Sequence, residues 1–211
     1  MAELNPIKKI KSVLLHPDKF FDLAKKEKGM ADAVKYYVFL SLVPTAISTL
    51  LGFAMGSLYE AVLGGGIANG TVGLFIYGFV WVAGILWRFI AAGILHAFAL
   101  LLGAKKGYAE TYKAVVYSNT PHQLTALMFP VLWIPSIGPI IWFLAWGIAG
   151  IYGLYLGIKG ISVLQDLSMG RAAGVVALAA GAGLVIGFFL FIAVAGFIAG
   201  FVEAATNSAY V

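Results

Sequence analysis

No cysteine occurs among the 211 residues, which excludes disulfides, thiolate zinc sites, iron–sulfur ligation and cysteine nucleophiles while leaving the redox compartment open. Charge is scarce as well. Only 11% of residues are Asp, Glu, Lys or Arg, against roughly 25% in an ordinary soluble domain. The place of that charge is taken by 62% hydrophobic residues, the composition of an integral membrane protein. Histidine is limited to His16, His96 and His122, too few for a metal centre without further ligands. Enzyme motifs are missing too: there is no HExxH, no GxSxG, no Walker loop and no carboxylate pair at useful spacing, and the glycines at 64–66 are not followed by Lys-Ser/Thr. Neither catalysis nor a cofactor is expected. The net charge of +5 comes from residues beside apolar segments, not from a soluble basic patch, so anionic lipid headgroups and not nucleic acid are the expected partners. The N-terminus, with lysines throughout and no uninterrupted apolar stretch, is not a cleavable signal.

A spanning helix needs about 20 apolar residues. Five such runs are present, at about 33–58, 75–102, 112–134, 139–159 and 172–202. The predicted fold is an all-α, polytopic membrane helix bundle of five transmembrane helices. A segment of residues 1–32 precedes it, and a short tail, 203–211, follows. Lysine and arginine crowd one side: Lys8, Lys9, Lys11, Lys19, Lys25, Lys26 and Lys28 before the first run, Lys105 and Lys106 between the second and third, and Lys159 and Arg171 between the fourth and fifth. The connections at 59–71 and 134–138 carry none. The positive-inside rule therefore predicts a cytoplasmic N-terminus and a C-terminus on the opposite, outer or lumenal, side.

Within the tail, Asn5 can cap a helix that starts at Pro6 and ends at His16-Pro17, where a second begins. Ile7, Ile10 and Leu14 then share a face opposite Lys8, Lys9 and Lys11, and Phe20, Phe21 and Ala24 form an apolar face in the second helix. Such helices lie in the headgroup plane, with Lys8, Lys9, Lys11, Lys25 and Lys26 on anionic lipid, or pack beneath the bundle.

Several stretches resemble the Yip family, the Ypt-interacting membrane proteins: "HPDKFF" before the first run, "YSNTP" in the third, and "IPSIGPIIWFLAWGIAGIYGLYLGIKGI" leading to "LSMGRAA" in the fourth and fifth. The resemblance implies five spans with the N-terminus in the cytoplasm. For eukaryotic members it implies binding to Rab-type small GTPases and work in vesicle traffic or membrane shaping. Those proteins carry a longer cytoplasmic region with an Asp-Leu-Tyr-Gly-Pro type motif, where this chain has "ADAVKYY". That departure makes a microbial member the expectation.

Polar groups inside the apolar runs are the remaining candidates for function. Arg88 lies about 21 Å of helix from the inner end at Leu102, at a depth where an unpaired charge costs about 2.5 kcal/mol or more. It therefore needs a partner, for which Glu60, Glu203 or a freed backbone carbonyl are available. His96 stands about 12 Å farther along the same helix. In "SNTPHQ", Pro121 removes the amide that would bond Tyr117 and should kink the third span. Ser118, Asn119, His122 and Gln123 then share a polar face that must turn inward. Together with Arg88 and His96 this face is either interhelical hydrogen-bond glue or the wall of a hydrated pocket. Gly150, Gly153, Gly157 and Gly160 form a ridge for close packing, within the bundle or between copies. The expected function is that of a non-enzymatic membrane adaptor or organiser with a protein partner at its cytoplasmic face; the alternative is a small-solute or ion permease.

Overall fold

The computed structural model describes the backbone of residues 5–63 and 70–208, and side-chain surroundings outside 52–74 and 197–208 apart from a few single positions. The glycines at 64–66 and the last residues of the C-terminal tail lie outside the described residues. Every element among those described is helical. Two short helices, α1 (Pro6–Leu15) and α2 (Pro17–Ala24), precede α3 (Ala31–Leu63) and α4 (Gly70–Leu101). Next come α5 (Tyr108–Ser118), α6 (Thr120–Thr125) and a 3-10 helix over Ala126–Trp133, and then α7 (Gly138–Leu164) and α8 (Met169–Ser208).

Among the described residues, four helices hold stretches long and apolar enough to cross a bilayer: Ala31–Leu51, Gly78–Leu101, Gly138–Leu164 and Met169–Ala193. Their outer faces carry exposed Phe79, Leu101, Ile151, Leu184 and Phe189, the arrangement expected when acyl chains replace water as solvent. The chain is an integral, multi-pass membrane protein.

Residues 112–134, expected as a single span, are divided into the three consecutive helices α5, α6 and the 3-10 segment. The first break falls at Asn119, beside Pro121 in the opening turn of α6. Proline has no amide to offer the carbonyl of Tyr117, and the Thr120 hydroxyl donates to that carbonyl instead, at 2.7 Å. The Thr120 oxygen is also 2.9 Å from the Tyr36 hydroxyl of α3, so the break is tied to a neighbouring helix. Pro130 lies inside the 3-10 segment. At about 1.5 Å per α-helical and 2.0 Å per 3-10 residue, the three pieces end to end exceed the roughly 30 Å of a hydrocarbon core.

Other boundaries also move. α5 begins at Tyr108 and not near 112, and α7 continues past Lys159 to Leu164. Lysine is a good helix former, and Lys159 forms an ion pair with Asp18 of α2.

The N-terminal helices pack onto the bundle. Asn5 caps α1, accepting from the Ile7 amide at 3.0 Å, as the sequence predicts. The inward face differs from the expected one: Val13 is fully buried and Lys9 is 8% exposed, while Ile7 is 66% exposed. Lys9 therefore sits under the bundle and not at headgroups, whereas Lys8, Lys11, Lys25 and Lys26 are exposed. Phe20 and Phe21 of α2 are buried, Phe20 edge-on to Tyr117 of α5 with centroids 4.8 Å apart.

Candidate functional site

Two polar assemblies stand out, one beneath the tail and one inside the bundle. The first starts from a local need. α2 ends at Ala24, and the last carbonyls of any helix lack intrahelical donors. The ammonium of Lys113, on α5 and with no exposed side-chain surface, donates to the carbonyls of Ala24 and Glu27, both at 3.0 Å, and pairs with Glu110 at 2.8 Å. A cation at a helix C-terminus is also favoured by the helix dipole. The carboxylate of Glu27 accepts from Lys9 at 2.7 Å and from the Tyr117 hydroxyl at 2.6 Å. The Tyr152 hydroxyl of α7 donates to the Leu14 carbonyl near the end of α1, at 2.6 Å. These side chains, with the Lys159–Asp18 pair, fasten the tail to α5 and α7. Lys113, Glu27, Tyr117 and Tyr152 were not singled out from sequence, because each finds its partner far along the chain. The one sequence signal is Lys113 itself, a lysine on the same helix face as the aromatic Tyr117 and one turn from Glu110.

Around this assembly lie exposed ion pairs. Asp166, between α7 and α8, accepts from Lys25 and lies 3.3 Å from Lys106, and Lys25 chiefly, with Lys106, holds its carboxyl below the ordinary value. Its φ of 53° places it in the left-handed region, which Asp tolerates better than most residues.

The second assembly contains part of the polar set expected from sequence. A cavity of about 390 Å³ is lined by Arg88, Ser118, Asn119 and His122, with Gly150, Gly153 and Gly157 of α7 opposite. Counted from the helix ends beside Lys105 and Arg171, these residues lie about 10–21 Å along their helices at 1.5 Å per residue. The glycine ridge brings α5 close to α7: a Cβ on Gly153 would stand 3.1 Å from the Ser118 carbonyl oxygen, and one on Gly157 3.7 Å from the Ser118 side chain. Gly160 performs the same service for α2, since a Cβ there would meet the Phe21 ring at 2.9 Å. A Cβ on Gly150 meets nothing within 4 Å.

Arg88 finds a partner that the sequence reading did not name. Its Nε donates to the Tyr37 hydroxyl at 3.0 Å, and its Cζ lies 5.3 Å from the centroid of that ring. The Glu60 and Glu203 side chains lie outside the described residues. Gln123 donates to the same Tyr37 oxygen at 2.9 Å, so one phenol of α3 holds side chains from α4 and α6. Gln123 thereby stands apart from the cavity lining, and so does His96, whose Nδ1 is 2.9 Å from the Thr111 hydroxyl. Thr111 in turn accepts from Gln165 at 2.8 Å, which links α4 and α5 to the end of α7. Among the groups that line the cavity, Ser118 donates to the Val115 carbonyl at 3.1 Å, His122 lies edge-on to Trp146, and the Asn119 amide nitrogen is buried without a hydrogen-bond partner.

Residues 11–194 match the Yip1 domain. The chain belongs to this family. The matched stretch runs from the middle of α1 into α8, so the Yip1 domain includes α2 and the cavity but not Lys9 in the first half of α1. No curated protein and no solved structure matches the chain.

Proposed function

We propose that this Yip1-domain protein is a non-enzymatic membrane adaptor with five crossings. The helices α5, α6 and the 3-10 segment together make the third crossing, and the lysine-rich tail and connections face the cytoplasm. One observation carries this reading: α1 and α2 are fixed to the bundle by the buried set of Lys9, Glu27, Lys113 and Tyr117. A docked pair of helices presents a shaped surface, in which Lys8, Lys11 and Lys26 remain exposed for anionic headgroups or a partner protein. A free tail would present none. Photo-crosslinking groups placed one at a time at Lys8, Lys11, Lys9 and Val13 in native membranes test it. Adducts with protein or lipid at Lys8 and Lys11, and none at Lys9 and Val13, are expected; equal adducts at all four positions would end the docked-surface reading.

The cavity supports a second reading, a small-solute or ion permease. Because the chain has no cysteine, Asn119→Cys and His122→Cys variants can be labelled cleanly with water-soluble thiol reagents. Labelling from both faces of the membrane would support passage through the cavity, and protection from both would exclude it.

A further inference from the structure

The cavity has donors and no described carboxylate to receive them. Arg88 uses Nε on Tyr37, and no hydrogen bond or ion pair among the described residues takes its two terminal nitrogens. The Asn119 amide nitrogen is buried and also without a partner. Both residues line the same space, and Tyr37 holds the guanidinium in place by hydrogen bond and ring contact. A planar guanidinium whose two terminal N–H groups are taken by no described residue matches the paired oxygens of a carboxylate or phosphate. At about 390 Å³ the cavity falls at the small end of ligand sites, which run from about 300 to 1,000 Å³. That volume suits a headgroup or small anion. The remaining wall includes Leu95, Leu154 and Val176, which suits an anion that carries an apolar substituent.

From this geometry we infer that the cavity between α4, α5 and α7 is a binding site for a phosphate-type oxyanion, held by the terminal nitrogens of Arg88, with Asn119 in its wall. Gly150 keeps the space clear on the α7 side. The site goes beyond the adaptor role and does not depend on transport. The phosphate is either free or the headgroup of an anionic lipid, and the two sources differ in the test.

Purified full-length protein in a zwitterionic detergent is titrated with inorganic phosphate and separately with a short-chain phosphatidate, with the corresponding phosphatidylcholine as control. Bound probe is measured by calorimetry and the thermal midpoint is followed in parallel. Saturable binding of at least one phosphate probe is expected, with none of the control. Arg88→Gln and Gly150→Leu should each weaken it at least tenfold. Gly150→Leu should keep the unliganded thermal midpoint, because Gly150 is exposed and a Cβ there meets nothing within 4 Å, and so the test stands even where Arg88→Gln fails to fold. Binding of inorganic phosphate itself identifies a free anion site; binding of phosphatidate alone identifies a lipid site. The inference is overturned if neither probe binds saturably. It is equally overturned if binding survives Gly150→Leu, or if replacing the exposed Lys8, Lys11 and Lys26 by Gln abolishes binding that Arg88→Gln leaves intact. Loss of the crosslinks at Lys8 and Lys11 would refute the adaptor reading without touching this one.

Discussion

Substituting Glu27 by Gln isolates the charge that holds the tail. The amide oxygen of Gln still accepts from Tyr117, but Lys9 loses its counter-ion while remaining in a site where its side chain is 9% exposed. A hydrogen bond to a charged group contributes about 1.5–3 kcal/mol, and stranding one member of a fully buried pair costs about 3–5 kcal/mol. The Glu27 side chain keeps 12% of its surface exposed, so a cost of about 2–3 kcal/mol is appropriate. Tail detachment is a local opening, and amide hydrogen exchange reads it directly. Exchange across residues 6–24 should accelerate about a hundredfold, since each tenfold corresponds to about 1.4 kcal/mol, while α4 and α7 remain unchanged. Adding Lys9→Met should restore most of the protection, because it removes the stranded buried charge that makes the single variant costly. An acceleration below threefold, or no recovery in the double variant, would refute the view that this pair locks the tail.

Three further outcomes follow from named contacts. Gly160→Ala forces a methyl group against Phe21 and Ala114 and should lower stability by about 1–3 kcal/mol, whereas Gly147→Ala, with nothing within 4 Å, should leave the thermal midpoint in detergent unchanged. Tyr37→Phe removes the acceptor shared by Arg88 and Gln123 and should cost about 1–2 kcal/mol, at the upper end of interhelical hydrogen bonds in membranes; the thermal midpoint reports it. The Asp166 carboxyl is depressed below 3.8, so its stabilisation is complete above that value and is lost as pH falls through the lowered one. Half-exposed as it is, Asp166→Asn should cost no more than about 1 kcal/mol at neutral pH, and a pH titration of the thermal midpoint should show no difference between the two proteins in strong acid.

The parts of the structure that could be read from the chain were those set by local rules. Apolar runs located the long helices, Asn5 marked the start of α1, and Pro121 marked the break after α5. Even there the carbonyl freed by Pro121 is satisfied by Thr120, one residue from the polar face that had drawn notice. Orientation of the tail was not legible. Counting apolar positions favoured an Ile7 face, but the helix turns to give Lys9 to Glu27 and Tyr117, partners 18 and 108 residues away. The cavity was half legible: Arg88, Ser118, Asn119 and His122 line it as one group, whereas Gln123 and His96 are drawn off by Tyr37 and Thr111. Glycine spacing on α7 announced a close contact, but not that Ser118 would be the neighbour across it.

The central claim is that residues 108–133 cross the membrane although they form three helices. Single cysteines at Lys106 and Ser136, which flank this segment, can be labelled with a membrane-impermeant thiol reagent in sealed vesicles of known orientation. The account predicts labelling from opposite sides, position 106 from the cytoplasmic face and position 136 from the other. Labelling of both from the same side would make the segment re-entrant and contradict the five-crossing arrangement.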